Sequence, residues 1–249
     1  MSPAPSRVQY SFGPGGITPA VRALIIANIA MWVLTLFAPK VIVDTLGLTP
    51  ADVLGRLRVW QLVTYLFVHS PVQITHVLFN MLTLWMFGVE LERRWGTRDF
   101  VKYYALTGIG AGISMIAVSL LPFEATRATY GGPPTVGASG AIYGLLMAWA
   151  ILFPHRQILF MMIFPLTARV FVILMGVIAF VSAVGASGGP VANVAHLGGL
   201  LFGYIYLKGP RNLSAELRYR ITKWRMDRLR RKFNVHKGGR DDDWEKRIH

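Results

Sequence analysis

The sequence predicts an all-α fold, a polytopic membrane bundle of six transmembrane helices. Three observations carry this. Of the 249 residues, 53% are hydrophobic and 15% charged, against about a quarter charged in soluble domains. Apolar runs recur near the length of roughly 20 residues that crosses a bilayer. The basic residues behind the formal charge of +14 crowd at the ends of those runs and in the C-terminal tail. Such a distribution orients a chain in a membrane, and no nucleic-acid partner is expected. Cysteine is absent, which excludes a disulfide framework and a thiolate metal site. No metal and no cofactor is expected.

The elements follow in order. Met1 to Gly16 is polar and rich in Pro and Gly, without a basic-then-apolar secretory pattern, so the first span is expected to be an uncleaved anchor. Residues 1–19 form the N-terminal segment. Spans are expected at about 20–38, 74–91, 100–121, 137–153 and 190–207. The stretch 155–187 is too long for one span and too short for two. Within it the apolar segment Ile158 to Phe164 stops at Pro165. Residues 155–168 are therefore expected to be an interfacial loop, and about 169–187 the fifth span. This makes 20–208 a six-helix membrane domain and 209–249 a basic tail. The flanking charges orient it. Arg93, Arg94, Arg98, His155, Arg156, Arg169 and the tail after Lys208 fall on one side with the N-terminus, which is expected to be cytoplasmic. Lys40, Arg56, Arg58 and Arg127 fall on the other side, a modest exception.

Polar residues then line up in depth. His76, Ser139 and His196 stand near the external ends of spans two, four and six, within roughly 10 Å of that edge at 1.5 Å per residue. Ionisable residues inside a membrane are costly and point to function. His76 and Asn80 are four apart and share a helix face. Ser139, in Gly137-Ala138-Ser139-Gly140, stands at a helix N-terminus where backbone N–H groups are free to hold an oxyanion. Gly140 and Gly144 form one small-residue pair, and Gly199 and Gly203 another; such faces let helices approach closely in lipid. Contact along these faces would bring Ser139 and His196 within hydrogen-bond reach. His196 is then the candidate base for a Ser139 nucleophile. His76, Asn80 and the Ser139 N–H are candidate oxyanion donors. No carboxylate lies near His196 in its span, so another group must orient the imidazole, and Tyr143, one turn beyond Ser139, is a candidate.

The segments HVLFN, GASGAIYG and ANVAHLGGLLFG, in this order and spacing, resemble rhomboid intramembrane proteases of the prokaryotic type. The likeness covers about residues 20–208 and includes WQLVTYLFVHS (Trp60 to Ser70) and ELERRWG (Glu90 to Gly96). It implies a serine endopeptidase with Ser139 as nucleophile and His196 as general base, cleaving transmembrane or membrane-anchored proteins near the external face. It also implies that Gly137 shapes the serine turn, that Tyr143 packs on the His196 ring, and that Asn193 and Ala195 line the substrate cavity. His76, Asn80 and the Ser139 N–H would form the oxyanion hole. Glu92, with Gly96, matches a structural hydrogen-bonding motif. The family often carries Trp-Arg in the first loop where this chain has Trp60-Gln61, a departure that bears on how the loop is anchored. His69 is expected to be a structural histidine serving loop backbone. The resemblance further implies a multi-pass protein of a prokaryotic plasma (inner) membrane with both termini cytoplasmic.

In the tail, Leu213, Leu217, Ile221 and Trp224 recur at helical spacing among Arg218, Arg220, Lys223 and Arg225. The pattern fits a helix lying on an anionic leaflet, and equally a solvated basic tail. Two rival functions remain. A catalytically inactive, client-binding rhomboid-like protein would typically lack the serine or the histidine. A transporter or channel would show inverted repeats or paired midplane charges, and neither is visible.

Overall fold

The computed structural model describes residues 14–122, 130–160, 163–184, 190–209 and 221–228. The chain divides into two units, Met1–Leu207 and Lys208–His249. In the first, α1 (Pro19–Phe37) leads into three short helices, α2 (Pro39–Leu46), α3 (Pro50–Gly55) and α4 (Gln61–Thr64). One continuous helix follows: α5 (Ile74–Thr83), a π-helical turn at Leu84–Gly88, and α6 (Val89–Trp95). Then come α7 (Thr97–Ser119), α8 (Ser139–Leu152), a hairpin of β1 (Gln157–Phe160) and β2 (Phe164–Thr167), α9 (Ala168–Val184) and α10 (Pro190–Lys208). Among the described residues three helices are long and apolar enough to cross a membrane, Pro19–Phe37, Ile74–Trp95 and Thr97–Ser119; Ser139–Leu152 and Ala168–Val184 are apolar but shorter. Large apolar side chains face outward on α1 and α9, among them Ile26, Leu34, Phe37, Ile173 and Val184. Such a surface is stable against lipid and would associate in water.

The structure corrects the expected loop at 155–168. Eight of its residues pair as an antiparallel hairpin, with Gln157 opposite Thr167 and Phe160 opposite Phe164. Pro165 opposes Leu159, which a two-stranded ribbon tolerates because every strand in it is an edge. Span limits shift as well. The second helix continues past residue 91 to Trp95 and stops where Gly96 takes a positive φ of 81°. The fourth begins at Ser139 rather than 137 and has 14 residues, about 21 Å at 1.5 Å per residue. That is less than the roughly 30 Å hydrocarbon thickness. The strand-like lead-in to α8 meets its backbone needs within the protein. Leu48 and Thr135 exchange both backbone bonds at 2.9 Å, and Gly137 N–H donates to Tyr65 O at 2.9 Å. Irregular backbone at membrane depth requires such internal partners.

Two polar devices hold the frame. The buried Glu92 carboxylate accepts from the Ala20 and Val21 N–H groups (2.9 and 3.0 Å), and from the Thr18 and Thr97 hydroxyls. One side chain thus caps the N-terminus of α1 and clasps the start of α7. Glu92→Ala should lower the unfolding free energy in detergent by about 2–3 kcal/mol, since buried donors lose their acceptor. A melting midpoint equal to wild type would show that the clasp contributes nothing. The second device is the first loop. Gln61 is fully buried and accepts from Thr49 N–H at 3.1 Å. Trp60 Nε1 donates to Thr45 O (3.0 Å) and Thr64 Oγ1 to Leu46 O (2.7 Å). The amide at 61 is therefore part of the loop's anchoring. Asp52 pairs with both Arg56 and Arg58 at 3.0 Å, so one carboxylate offsets half the charge of these two exceptions to the charge rule. Arg127 lies outside the described residues.

In the second unit residues 221–228 are helical and exposed, and Arg228 lies 5.3 Å from the Trp224 ring. Leu213, Leu217, Arg218 and Arg220 lie outside the described residues.

Candidate active site

Close helix approach builds this site. A Cβ placed on Gly199 would lie 2.0 Å from the Gly140 carbonyl oxygen, and one on Gly203 would lie 3.2 Å from the Gly144 Cα. The two small-residue rows therefore face each other, backbone against backbone at Gly140 and Gly199, while the Tyr103 hydroxyl reaches the seam at Gly203. From α7, Thr107 packs against Gly144, and Tyr103 Oη donates to Gly144 O at 2.7 Å. Three helices are thus locked around residues 140–144.

Above this seam Ser139 Oγ and His196 Nε2 stand 2.8 Å apart. The Tyr143 and His196 rings stack, nearly parallel at 3° with centroids 4.2 Å apart, which sets the imidazole plane. His196 Nδ1 is buried without a hydrogen-bond partner among the described residues. With the proton on Nδ1, Nε2 offers its lone pair to the serine hydroxyl, an arrangement suited to removing the Oγ proton.

His76 approaches from α5. A Cβ on Gly137 would come 2.7 Å from His76 Nε2, and Gly137 adopts a φ of +126°. Both features require glycine there: the left-handed backbone turns the chain into Ser139, and the missing side chain admits the imidazole. Asn80, one turn below His76, is buried and donates through Nδ2 to His76 O at 2.6 Å. An amide nitrogen carries two hydrogens, so a second remains for a ligand. The first intrahelical bond of α8 runs from Ile142 N–H to Ala138 O, which leaves the Ser139 amide outside the helix ladder.

A cavity of about 530 Å³ joins these groups. Of the residues singled out in the sequence, His76, Asn80, Gly137, Ser139, Gly140, Tyr143, Ala195 and His196 line it, and Asn193 does not. Asn193 is half-buried one turn before His196. Gly144, Gly199 and Gly203 serve the seam. His69 is fully buried, its Nδ1 3.4 Å from Phe67 O and its ring edge-on to His76 at 5.1 Å. Sequence reasoning assigned no role to Tyr65, whose hydroxyl donates to Gly108 O at 2.7 Å while its carbonyl holds Gly137. It also missed Phe87 and Thr135 in the cavity wall. Phe87 lies in the π turn, where Trp149 Nε1 donates to its carbonyl at 2.9 Å, and its ring stacks on Phe171 of α9 at 6.3 Å.

Apolar helices of this length, with large apolar side chains turned outward, define an integral membrane protein. It belongs to the rhomboid family: a rhomboid domain model matches residues 56–209, well over half of the chain. The chain is similar to Rhomboid protein 1, mitochondrial, of Saccharomyces cerevisiae, at 34% identity over 133 residues, covering 53% of this chain and 36% of that protein. It is similar to Rhomboid protease GluP of Bacillus subtilis at 31% over 145 residues, covering 58% and 25%. Rhomboid protease GlpG of Yersinia pseudotuberculosis aligns at 27% over 187 residues, covering 75% and 61%. The chain therefore spans less than two thirds of the length of these relatives.

Proposed function

We propose that the chain is an intramembrane serine endopeptidase with Ser139 as nucleophile and His196 as general base. The observation that carries this reading is the 2.8 Å approach of His196 Nε2 to Ser139 Oγ inside the cavity. The rhomboid membership supports it, as do the two relatives named as proteases. In the reaction, Ser139 Oγ attacks the scissile carbonyl carbon while its proton passes to His196 Nε2. The carbonyl oxygen becomes an oxyanion held by His76, Asn80 and the Ser139 N–H. Collapse breaks the C–N bond, and His196 returns the proton to the leaving amine. Water then adds to the Ser139 ester, again deprotonated by His196, and frees the acid and the serine. Gly137, Tyr143, Asn193 and Ala195 shape and support the cavity, and Gly140, Gly144, Gly199 and Gly203 hold the helices together.

The substrates are transmembrane or membrane-anchored proteins, cut near the external face. The domain, residues 20–208, crosses the membrane six times with both termini cytoplasmic, in a prokaryotic plasma (inner) membrane. The tail from 209 to 249 rests on an anionic leaflet. Incubation with a fluorogenic transmembrane peptide tests the activity, and fluorophosphonate labelling with peptide mapping tests the nucleophile. Absence of both cleavage and label from folded protein would sink the reading.

Two further results are expected. Removal of one oxyanion donor costs about 3 kcal/mol in the transition state, roughly a hundredfold in rate. Asn80→Ala should lower turnover by that factor with little change in substrate affinity. Lost affinity at unchanged turnover would place Asn80 in substrate binding instead. The rate should also rise with pH as His196 becomes neutral, then stay level into mild alkali. A rate that climbs as pH falls, which protonates more of the imidazole, would contradict His196 as base.

A further inference from the structure

A second cavity, of about 550 Å³, is lined by Pro14, Gly15, Glu90, Arg93, Arg94, Phe153 and Arg156. It lies at the other end of the helices from Ser139: it adjoins the last turns of α6 and the residues that follow α8. Along the continuous second helix, His76 and Glu92 are about 24 Å apart at 1.5 Å per residue.

Three guanidinium groups meet one carboxylate here. Arg156 pairs with Glu90 and covers the Trp149 ring at 5.1 Å. Arg94 lies 5.4 Å from the centre of the Phe153 ring, an attraction that holds the cation and leaves its charge unneutralised. Arg93 donates to the carbonyl oxygens of Pro14 and Gly16, which spend two of its five N–H donors. Arginines needed only for orientation can remain solvated and dispersed. These three converge on one hollow, and rings and backbone fix their positions.

We propose that this cavity binds a phosphate-bearing anion, and that its source is the headgroup of an anionic phospholipid. Planar guanidinium forks match phosphate oxygens in pairs. The site adjoins the ends of apolar helices, where headgroups lie, and basic pockets between membrane helices take such groups. The proposal is independent of the chemistry at Ser139.

The test is native mass spectrometry of the full chain in neutral detergent, with dioleoyl phosphatidylglycerol and dioleoyl phosphatidylcholine in competition. Phosphatidylglycerol should be retained preferentially. Arg94→Gln, which removes only a ring contact, should weaken that retention roughly fivefold, the weight of one arginine near an anionic surface. Arg94→Gln combined with Arg156→Gln should weaken it further. Glu90→Gln removes the competing carboxylate and should strengthen it. The melting midpoint of Arg94→Gln in lipid-free detergent without added phosphate should equal wild type, which confirms its fold. A parallel arm adds inorganic phosphate and follows the melting midpoint. Stabilisation of wild type but not of Arg94→Gln, without preference between the lipids, would uphold the phosphate site and move its source to a soluble phosphate. Equal retention of both lipids with no phosphate response would overturn the proposal. So would a phosphatidylglycerol preference that neither Arg94→Gln nor Glu90→Gln changes, since the basic tail would then account for it.

Discussion

Replacing Ser139 with alanine is expected to abolish peptide cleavage while the protein stays folded in the membrane. The nucleophilic oxygen is lost, and nothing else in the cavity takes its place at 2.8 Å from His196 Nε2. Members of such a unit are not additive, and removing one lowers the rate by about six orders of magnitude. The fold should survive because Ser139 is the first residue of α8 and, among the described residues, its hydroxyl bonds to the His196 side chain and to no other. The measurements are cleavage of a fluorogenic transmembrane peptide, fluorophosphonate labelling and a melting curve in the same detergent. Retained cleavage in this variant would end the serine-protease reading. Loss of both cleavage and the cooperative melt would show that Ser139 matters for structure.

Gly199→Ala should have the next largest effect, although residue 199 does not line the cavity. Its new methyl would start 2.0 Å from the Gly140 carbonyl oxygen, where a carbon needs about 3.3 Å. The obstruction is backbone, so no side chain can turn aside and α8 must part from α10. Ser139 and His196 stand on those two helices. A misplacement near 1 Å takes a pair at hydrogen-bond distance out of productive geometry and can cost about a hundredfold in rate. Overpacking should also lower stability by about 1–3 kcal/mol. Gly16→Ala, where a Cβ meets nothing within 4 Å, is the control. Gly199→Ala with wild-type turnover and melting would show that the seam does not set the dyad distance.

The sequence revealed the parts of this arrangement that depend on repeated spacing or on chemistry out of place. Glycines four apart on two spans announced the seam, and a serine and two histidines inside apolar runs announced the cavity. The hairpin at 157–167 was not legible because four-residue strands are shorter than any period that separates them from a loop. The π turn at Leu84–Gly88 was hidden for a related reason: one widened turn leaves the apolar character of its helix unchanged. The end of the second helix was misjudged because hydropathy falls at Glu90, while the backbone stays helical until Gly96. Gln61 was read as a departure from a pattern. Its burial could not be seen until α2, α3 and α4 were placed around it. Asn80 was placed on the right face, but its bond to the His76 carbonyl is a detail of rotamer, which sequence does not carry.

The clasp at Glu92 has a consequence for synthesis. Thr18, Ala20 and Val21 bind a carboxylate more than 70 residues further along the chain. When α1 first enters the bilayer, its N-terminal amides have only water or headgroups to bind. At about 5–20 residues per second, several seconds pass before Glu92 leaves the ribosome, and Thr97 follows five residues later. α1 is therefore made several seconds before its N-terminus can be fastened. It is free to tilt, or to be held by an insertion factor, until the second helix arrives and supplies its cap.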